Sequence, residues 1–224
     1  MPERKSRTGK ATQAAGRRTP LVPTQERSRE RFDRILAAAA EILTEKGSEA
    51  FRMSDIVERT GIAFGSLYQY FPDKSAVMGT LAERCNAIGR DCVARDLTGM
   101  KKLSDLHAAL CRITDGYEQM FREHPVAHHI WQATQADRSL QKIDEDDVAF
   151  LAGLLSDALK RVAPNVPAAA LASFSQLTMV LIAAAVRHAI VLPPSESRRS
   201  LALFKQILPH DLAAVDQIAG KPRR

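Results

Sequence analysis

The sequence predicts an all-α protein. Three observations carry that prediction. Apolar residues recur with the 3.6-residue period of a helix, and period-2 strand patterns are nearly absent. Aromatics make up 5% of the chain against 45% hydrophobic residues, so alanine and leucine supply the core and favour close helix-on-helix packing. Prolines and glycines fall at the ends of the periodic segments, where helices stop and start. The first helix runs from Gln25 to Lys46. Its apolar positions Phe32, Ile35, Leu36, Ala39, Ile42 and Leu43 share one face. Gly47 follows as a helix stop. A second, very short helix spans 54–60 and ends at Gly61. A third spans 64–70, ended by Pro72, which disfavours helical geometry at Phe71. Asp73 caps a fourth helix reaching about Leu97. Longer amphipathic helices are expected near 103–123, 125–136, 140–162, 167–192 and 196–207, with a short one near 210–219. They are separated at Pro125, Pro164–Pro167, Pro193-Pro194 and Pro209.

At 224 residues the chain has room for one large or two small domains. Its net charge of +6 is concentrated at the ends. Residues 1–24 carry +5 and residues 221–224 carry +3, which leaves −2 on the body. Residues 1–24 are read as a disordered basic arm and 221–224 as a basic tail, both attracted to polyanions. Three cysteines, Cys85, Cys92 and Cys111, form no paired framework and fit a reducing, cytoplasmic setting. No secretory leader is read at the N-terminus. The most apolar stretch, 177–192, is interrupted by Arg187 and His188. It is short for a membrane span, so a buried central helix is expected and no membrane partner.

Residues 52–74 are the most informative. Helices that short do not persist alone, because nucleation is costly and about 12–15 residues are needed for marginal stability. They persist when packed on a scaffold and used as a probe. Ile56, Ile62, Leu67 and Phe71 are spaced to seal onto the first helix, making a three-helix unit over 25–74. That packing turns Phe64, Gly65, Ser66, Tyr68, Gln69 and Tyr70 largely outward. Tyr68 and Ser66 offer hydroxyls to phosphate oxygens. Gln69 suits bidentate pairing with adenine, and Phe64 suits a thymine methyl. Gly65 permits close approach of the helix backbone. Lys74 stands at a helix N-terminus, where an anion is favoured. Packing within the unit is the competing role for Tyr68 and Tyr70.

The run Asp55-Ile56-Val57-Glu58-Arg59-Thr60-Gly61-Ile62 and the run Gly65-Ser66-Leu67-Tyr68-Gln69-Tyr70-Phe71-Pro72-Asp73-Lys74 carry a resemblance. Residues 28–84 resemble the helix-turn-helix DNA-binding domain of TetR/AcrR-family transcriptional regulators, over roughly a quarter of the chain. The sequence departs from the family pattern at Arg52, where Thr or Ser usually caps the second helix. Ser54 is then the alternative cap, and it is also a candidate DNA contact. Ala63 and Phe64 replace the usual hydroxyl and basic residues. The basic arm, through Arg17 and Arg18, is expected to compensate by contacting DNA.

The resemblance implies that 75–220 is a ligand-binding and dimerisation domain. The alanine-rich segments 144–162 and 168–192 are the dimer candidates, with packing inside the monomer as the alternative. A ligand pocket is expected around Tyr117, Met120, Phe121, His128 and Trp131. Phe174 and Met179 are expected to close it, with Gln176, Arg112 and Arg187 as polar anchors. Few charges mark the region, so the expected effector is a small apolar or amphipathic molecule. No catalytic spacing, metal cluster or cofactor motif is found. His107 and Cys111 share a helix face without a second ligand pair. The reading is a homodimeric, ligand-responsive regulator, a repressor by resemblance, bound to double-stranded DNA at a palindromic site. A ligand-independent architectural DNA binder is the alternative. A small helical enzyme is disfavoured.

Overall fold

A computed structural model describes residues 26–215. The expectations placed on the basic arm, on Arg17 and Arg18, and on the basic tail lie outside these residues. Nine α-helices and a 3-10 turn, with no strand, make up the described residues. They are α1 (Glu26–Ala50), α2 (Met53–Thr60), α3 (Phe64–Tyr70), α4 (Lys74–Thr98) and α5 (Leu106–Glu123). There follow α6 (Val126–Ala136), α7 (Arg138–Val162), α8 (Ala168–Ala189) and α9 (Pro194–Ile207). The expected starts and stops hold because local chemistry dictates them. α1 breaks at Gly47, whose φ of 75° lies in the left-handed region that glycine adopts without Cβ strain. Gly61 closes α2 with φ 67°, its N–H donating to the Val57 carbonyl. Phe71, extended ahead of Pro72, closes α3. The Asp73 carboxylate caps α4 by accepting from the Ala76 N–H at 2.8 Å.

The head is organised around the buried face of α1. Ile35, Leu36, Ala39, Ile42 and Leu43 are buried there together with Ile56, Ile62, Leu67 and Phe71, the set that spacing implied. This core continues into the body through Val77 and Met78 of α4, Ile130 and Ala133 of α6, and Leu140 of α7. A second core joins α4, α5, α7 and α8 to the segment carrying Leu208, Leu212 and Val215. That segment is held on α5 by the His107 ring, stacked on His210 with centroids 3.6 Å apart.

One expectation about the body is corrected. The helix over 177–192 was expected to be buried, but only 33% of the apolar window of α8 is. By length and composition alone α8 is apolar enough to cross a membrane. Its inner face (Leu171, Met179, Ile182, Val186) enters the core. Its outer face presents Leu177, Val180, Leu181 and Ala184 to solvent, at i, i+3, i+4 and i+7.

Candidate nucleic-acid interface and ligand cavity

α3 is a helix of seven residues fixed from behind and open in front. Leu67 and Phe71 are fully buried, and the Phe71 ring stacks on Phe32 at 5.0 Å. The preceding turn is tied by the Thr60 hydroxyl, which donates to the Ile56 carbonyl and accepts from the Ile62 N–H. On the front, Phe64 and Tyr68 are each 48% exposed, and their rings lie nearly parallel with centroids 6.3 Å apart. Gly65 and Gln69 are exposed beside them, and Ser66 is half-buried. A Cβ added to Gly65 would meet nothing within 4 Å, so that side of the helix is open to a close partner. The face is uncharged, aromatic and rich in hydrogen-bonding groups, a combination suited to base edges and sugar–phosphate oxygens.

Three expected contacts fall elsewhere. Tyr70 does not project outward. It is 9% exposed, its ring packs edge-on against Phe32, and its hydroxyl shares a 2.9 Å hydrogen bond with Ser28. The reason is geometric: Tyr70 follows Leu67 by three residues and so shares its inward face. Tyr70→Phe should cost about 0.5–1.5 kcal/mol in unfolding free energy while leaving DNA affinity unchanged, as denaturant titration and fluorescence anisotropy would report. Lys74 is also engaged within the head. Its ammonium donates to the Ser48 carbonyl and lies 5.8 Å over the Phe51 ring, while Asp73 already occupies the N-terminus of α4. Ser54 does not cap α2, being half-buried inside its first turn. The cap position is Arg52, whose N–H donates to Asp55 at 3.0 Å. Half of a capping box therefore survives without the usual hydroxyl. The Lys46 ammonium, 3.0 Å from Asp55, assists that N–H in holding the carboxyl below its ordinary range.

A cavity of about 80 Å³ is enclosed by α4, α5, α6, α7 and α8. Five expected residues line it: Tyr117, Met120, Phe121, Trp131 and Met179. Three do not. His128 stands behind Trp131, ring centroids 5.9 Å apart. Phe174 packs on the second core, and Gln176 is exposed on an outer groove. Of the proposed polar anchors, Arg187 reaches the cavity, while Arg112 is exposed and pairs with Asp96 at 3.4 Å.

The acids here were not foreseen. Asp96, Asp144 and Asp147 line the cavity with Arg187. The Arg187 guanidinium forks onto Asp144, with Nη1 to Oδ2 at 3.0 Å and Nη2 to Oδ1, and lies 5.3 Å over the Trp131 ring. Arg90 holds Asp147 at 2.6 Å. Burial still raises the Asp147 carboxyl above its usual range despite that arginine. Burial likewise raises the Tyr117 phenol and pushes the Cys85 thiol up to about 11, which keeps it protonated at neutral pH. In sequence, Asp144-Glu145-Asp146-Asp147 reads as a solvated acidic face. The available signal was that Asp144, Asp147, Val148 and Leu151 fall at i, i+3, i+4 and i+7, on the inward side of α7. Trp131, Asp144, Val148, Ala183 and Arg187 line both this cavity and the outer groove, so they form the wall between the two.

Comparison with known proteins covers both the head and the body. Residues 35–81 match the family model for bacterial regulatory proteins of the tetR family. Residues 104–215, half of the chain, match that of the tetracyclin repressor-like C-terminal domain. Over 53 residues the chain is 42% identical to the uncharacterised helix-turn-helix regulator YvdT of Bacillus subtilis, covering 24% of this chain and 27% of that protein. Over 66 residues it is 39% identical to the transcriptional repressor KstR of Mycolicibacterium smegmatis, covering 30% and 29% respectively. The match thus spans less than a third of either relative's length. Among solved structures, a TetR-family regulator from Syntrophomonas wolfei superposes with a TM-score of 0.62 at 16% identity, over 80% of this chain and 94% of that one. FadR of Bacillus subtilis in complex with stearoyl-CoA gives 0.59 at 14% identity, over 86% and 100%. At those identities the likeness is one of fold. The helix-turn-helix head, the helical body and the two family models converge on one conclusion: the chain belongs to the TetR family of transcriptional regulators.

Proposed function

We propose that this protein is a cytoplasmic, homodimeric repressor that binds a palindromic DNA site and is released by a small, largely apolar effector. It has no enzymatic role in this reading. The observation that carries it is the α3 face: Phe64, Gly65, Tyr68 and Gln69 are exposed on a helix whose other side is locked into the head. Repression is supported by KstR, a repressor similar to this head, and effector binding by the fold shared with FadR, solved with stearoyl-CoA.

The dimer face is the exposed apolar side of α8 and α9. Segment 144–162, the other dimer candidate, turns Ala152, Leu155, Ala158 and Leu159 into the core of the monomer. Leu177 (60% exposed) on α8, and Leu203 (66%) and Ile207 (71%) on α9, have no such use. Pairing these faces across a two-fold axis would present α3 twice, to successive major grooves.

Two helices connect the cavity to the head. α4 places Val77 and Met78 in the head's core and Cys85 and Gly89 in the cavity wall. α6 places Ala133 against the head and Trp131 in the cavity wall. An effector that parts the cavity walls would therefore tilt the head. A coupling of about 1–3 kcal/mol suffices for induction.

Gln69→Ala should relax selectivity at one base position per half-site by about 1–3 kcal/mol. Tyr68→Ala should weaken all sites alike. Anisotropy titrations on single-base variants of the bound site check both. Equal affinity of Gln69→Ala and the natural protein on every variant would refute this assignment of α3.

A further inference from the structure

Two donors at the polar end of the cavity have nothing to donate to among the described residues. The Nε–H of Arg187 and the Nε1–H of Trp131 are buried without a hydrogen-bond partner. Both residues line the cavity, and the guanidinium lies over the Trp131 ring. An unmatched buried N–H is costly, so the pair favours an acceptor brought in by a ligand.

The charge on that acceptor follows from the surroundings. The other edge of the Arg187 guanidinium is committed to Asp144. Arg187 therefore offers a directed N–H with its charge already balanced. The other ionisable groups facing the cavity are Asp147, held by Arg90, Asp96, reached by Arg112, the Tyr117 phenol beside Arg187, and the Cys85 and Cys92 thiols. Glu145 adds a further acid in the adjoining groove. An anionic head would meet these carboxylates with no free cation among the described residues of the lining to answer it. A bare hydrocarbon would leave both N–H groups unmatched. A neutral carbonyl oxygen meets neither penalty, and the remaining wall (Ile113, Met120, Phe121, Ile130, Met179) takes its apolar part.

We propose that the cavity selects an apolar molecule bearing a neutral oxygen acceptor, a ketone or ester, which accepts from Arg187 Nε–H and Trp131 Nε1–H in preference to a carboxylate or a plain hydrocarbon. This rests on the reading of the cavity as the effector site.

Trp131 is the chain's single tryptophan, so its fluorescence reports on the cavity directly and without DNA. The test titrates the full chain at neutral pH with three probes of similar shape: benzylacetone (a ketone), hydrocinnamate (the carboxylate) and butylbenzene (the hydrocarbon). Benzylacetone should bind about tenfold or more tightly than either of the others. Arg187→Lys keeps a cation beside Asp144 but removes the Nε donor. It should shrink the ketone preference to about threefold or less, with butylbenzene unaffected. Circular dichroism would establish that the variant is folded, and the ranking on the natural protein decides the matter even if it is not. Hydrocinnamate binding as tightly as the ketone would overturn the proposal, as would butylbenzene doing so. In those cases the cavity still stands as an effector site. Silence from all three probes would overturn both.

Discussion

Phe71→Ala should unfold the DNA-reading head and abolish sequence-specific DNA binding without touching the exposed face of α3. Phe71 is fully buried, stacks on Phe32, and its N–H closes α3 by donating to the Leu67 carbonyl at 2.9 Å. Removing a buried phenyl ring costs about 3–5 kcal/mol, transfer and cavity terms together. Domains are stable by only about 5–15 kcal/mol. A seven-residue helix has no stability of its own to draw on, so the loss falls directly on α3. The expected readouts are a lower denaturant midpoint and DNA affinity reduced to the nonspecific level. Phe71→Leu, which refills most of the volume, should recover much of both. A Phe71→Ala protein with an unchanged midpoint would mean that α3 is not held by this core.

The second large effect is expected at the outer face of α8. Leu177→Glu combined with Leu181→Glu should give a folded monomer, because both side chains are exposed in the monomer. In a dimer each glutamate would be buried without a partner, a cost of several kcal/mol per charge. Sedimentation should show half the natural mass. Affinity for a two-half-site duplex should fall by about 100-fold or more toward that of a single half-site, since the second contact ceases to be intramolecular. Thermal unfolding of the monomeric state should stay close to that of the natural protein. A variant that remained dimeric would move the interface off α8.

Much of this architecture was legible because it depends on local chemistry. Gly47, Gly61, Pro72 and Asp73 act within a few residues of themselves, and they set the boundaries of the first four helices. Phe32, Ile35 and Leu36 announce their face by periodicity. What escaped depends on distant partners. Tyr70 shares the inward face of Leu67, and the Ser28 hydroxyl that meets its own is 42 residues away. Lys74 is occupied because the Ser48 carbonyl, 26 residues away, lies within its reach. Asp144 and Arg187 pair across 43 residues; Arg187 stands out in its apolar helix, but nothing local marks Asp144 as its partner. Tyr117, Met120, Phe121, Trp131 and Met179, the aromatic and sulfur-bearing residues expected together, do line one cavity. Its acidic side was not legible, because a run of acids reads as solvated unless the helix that carries it is known to be turned inward. α8 was misjudged for the converse reason: an apolar helix looks buried until a second apolar face is seen to lack a partner among the described residues.

The central claim is that a pair of α3 helices reads a palindromic sequence. Selection of bound duplexes from a random-sequence library, using the full chain at near-physiological salt, tests it most directly. The account predicts enrichment of an inverted repeat whose half-sites lie about one helical turn apart, or a multiple of it, with Gln69→Ala relaxing one position in each half. A library left unenriched, or enriched for a single unrepeated motif, would contradict it.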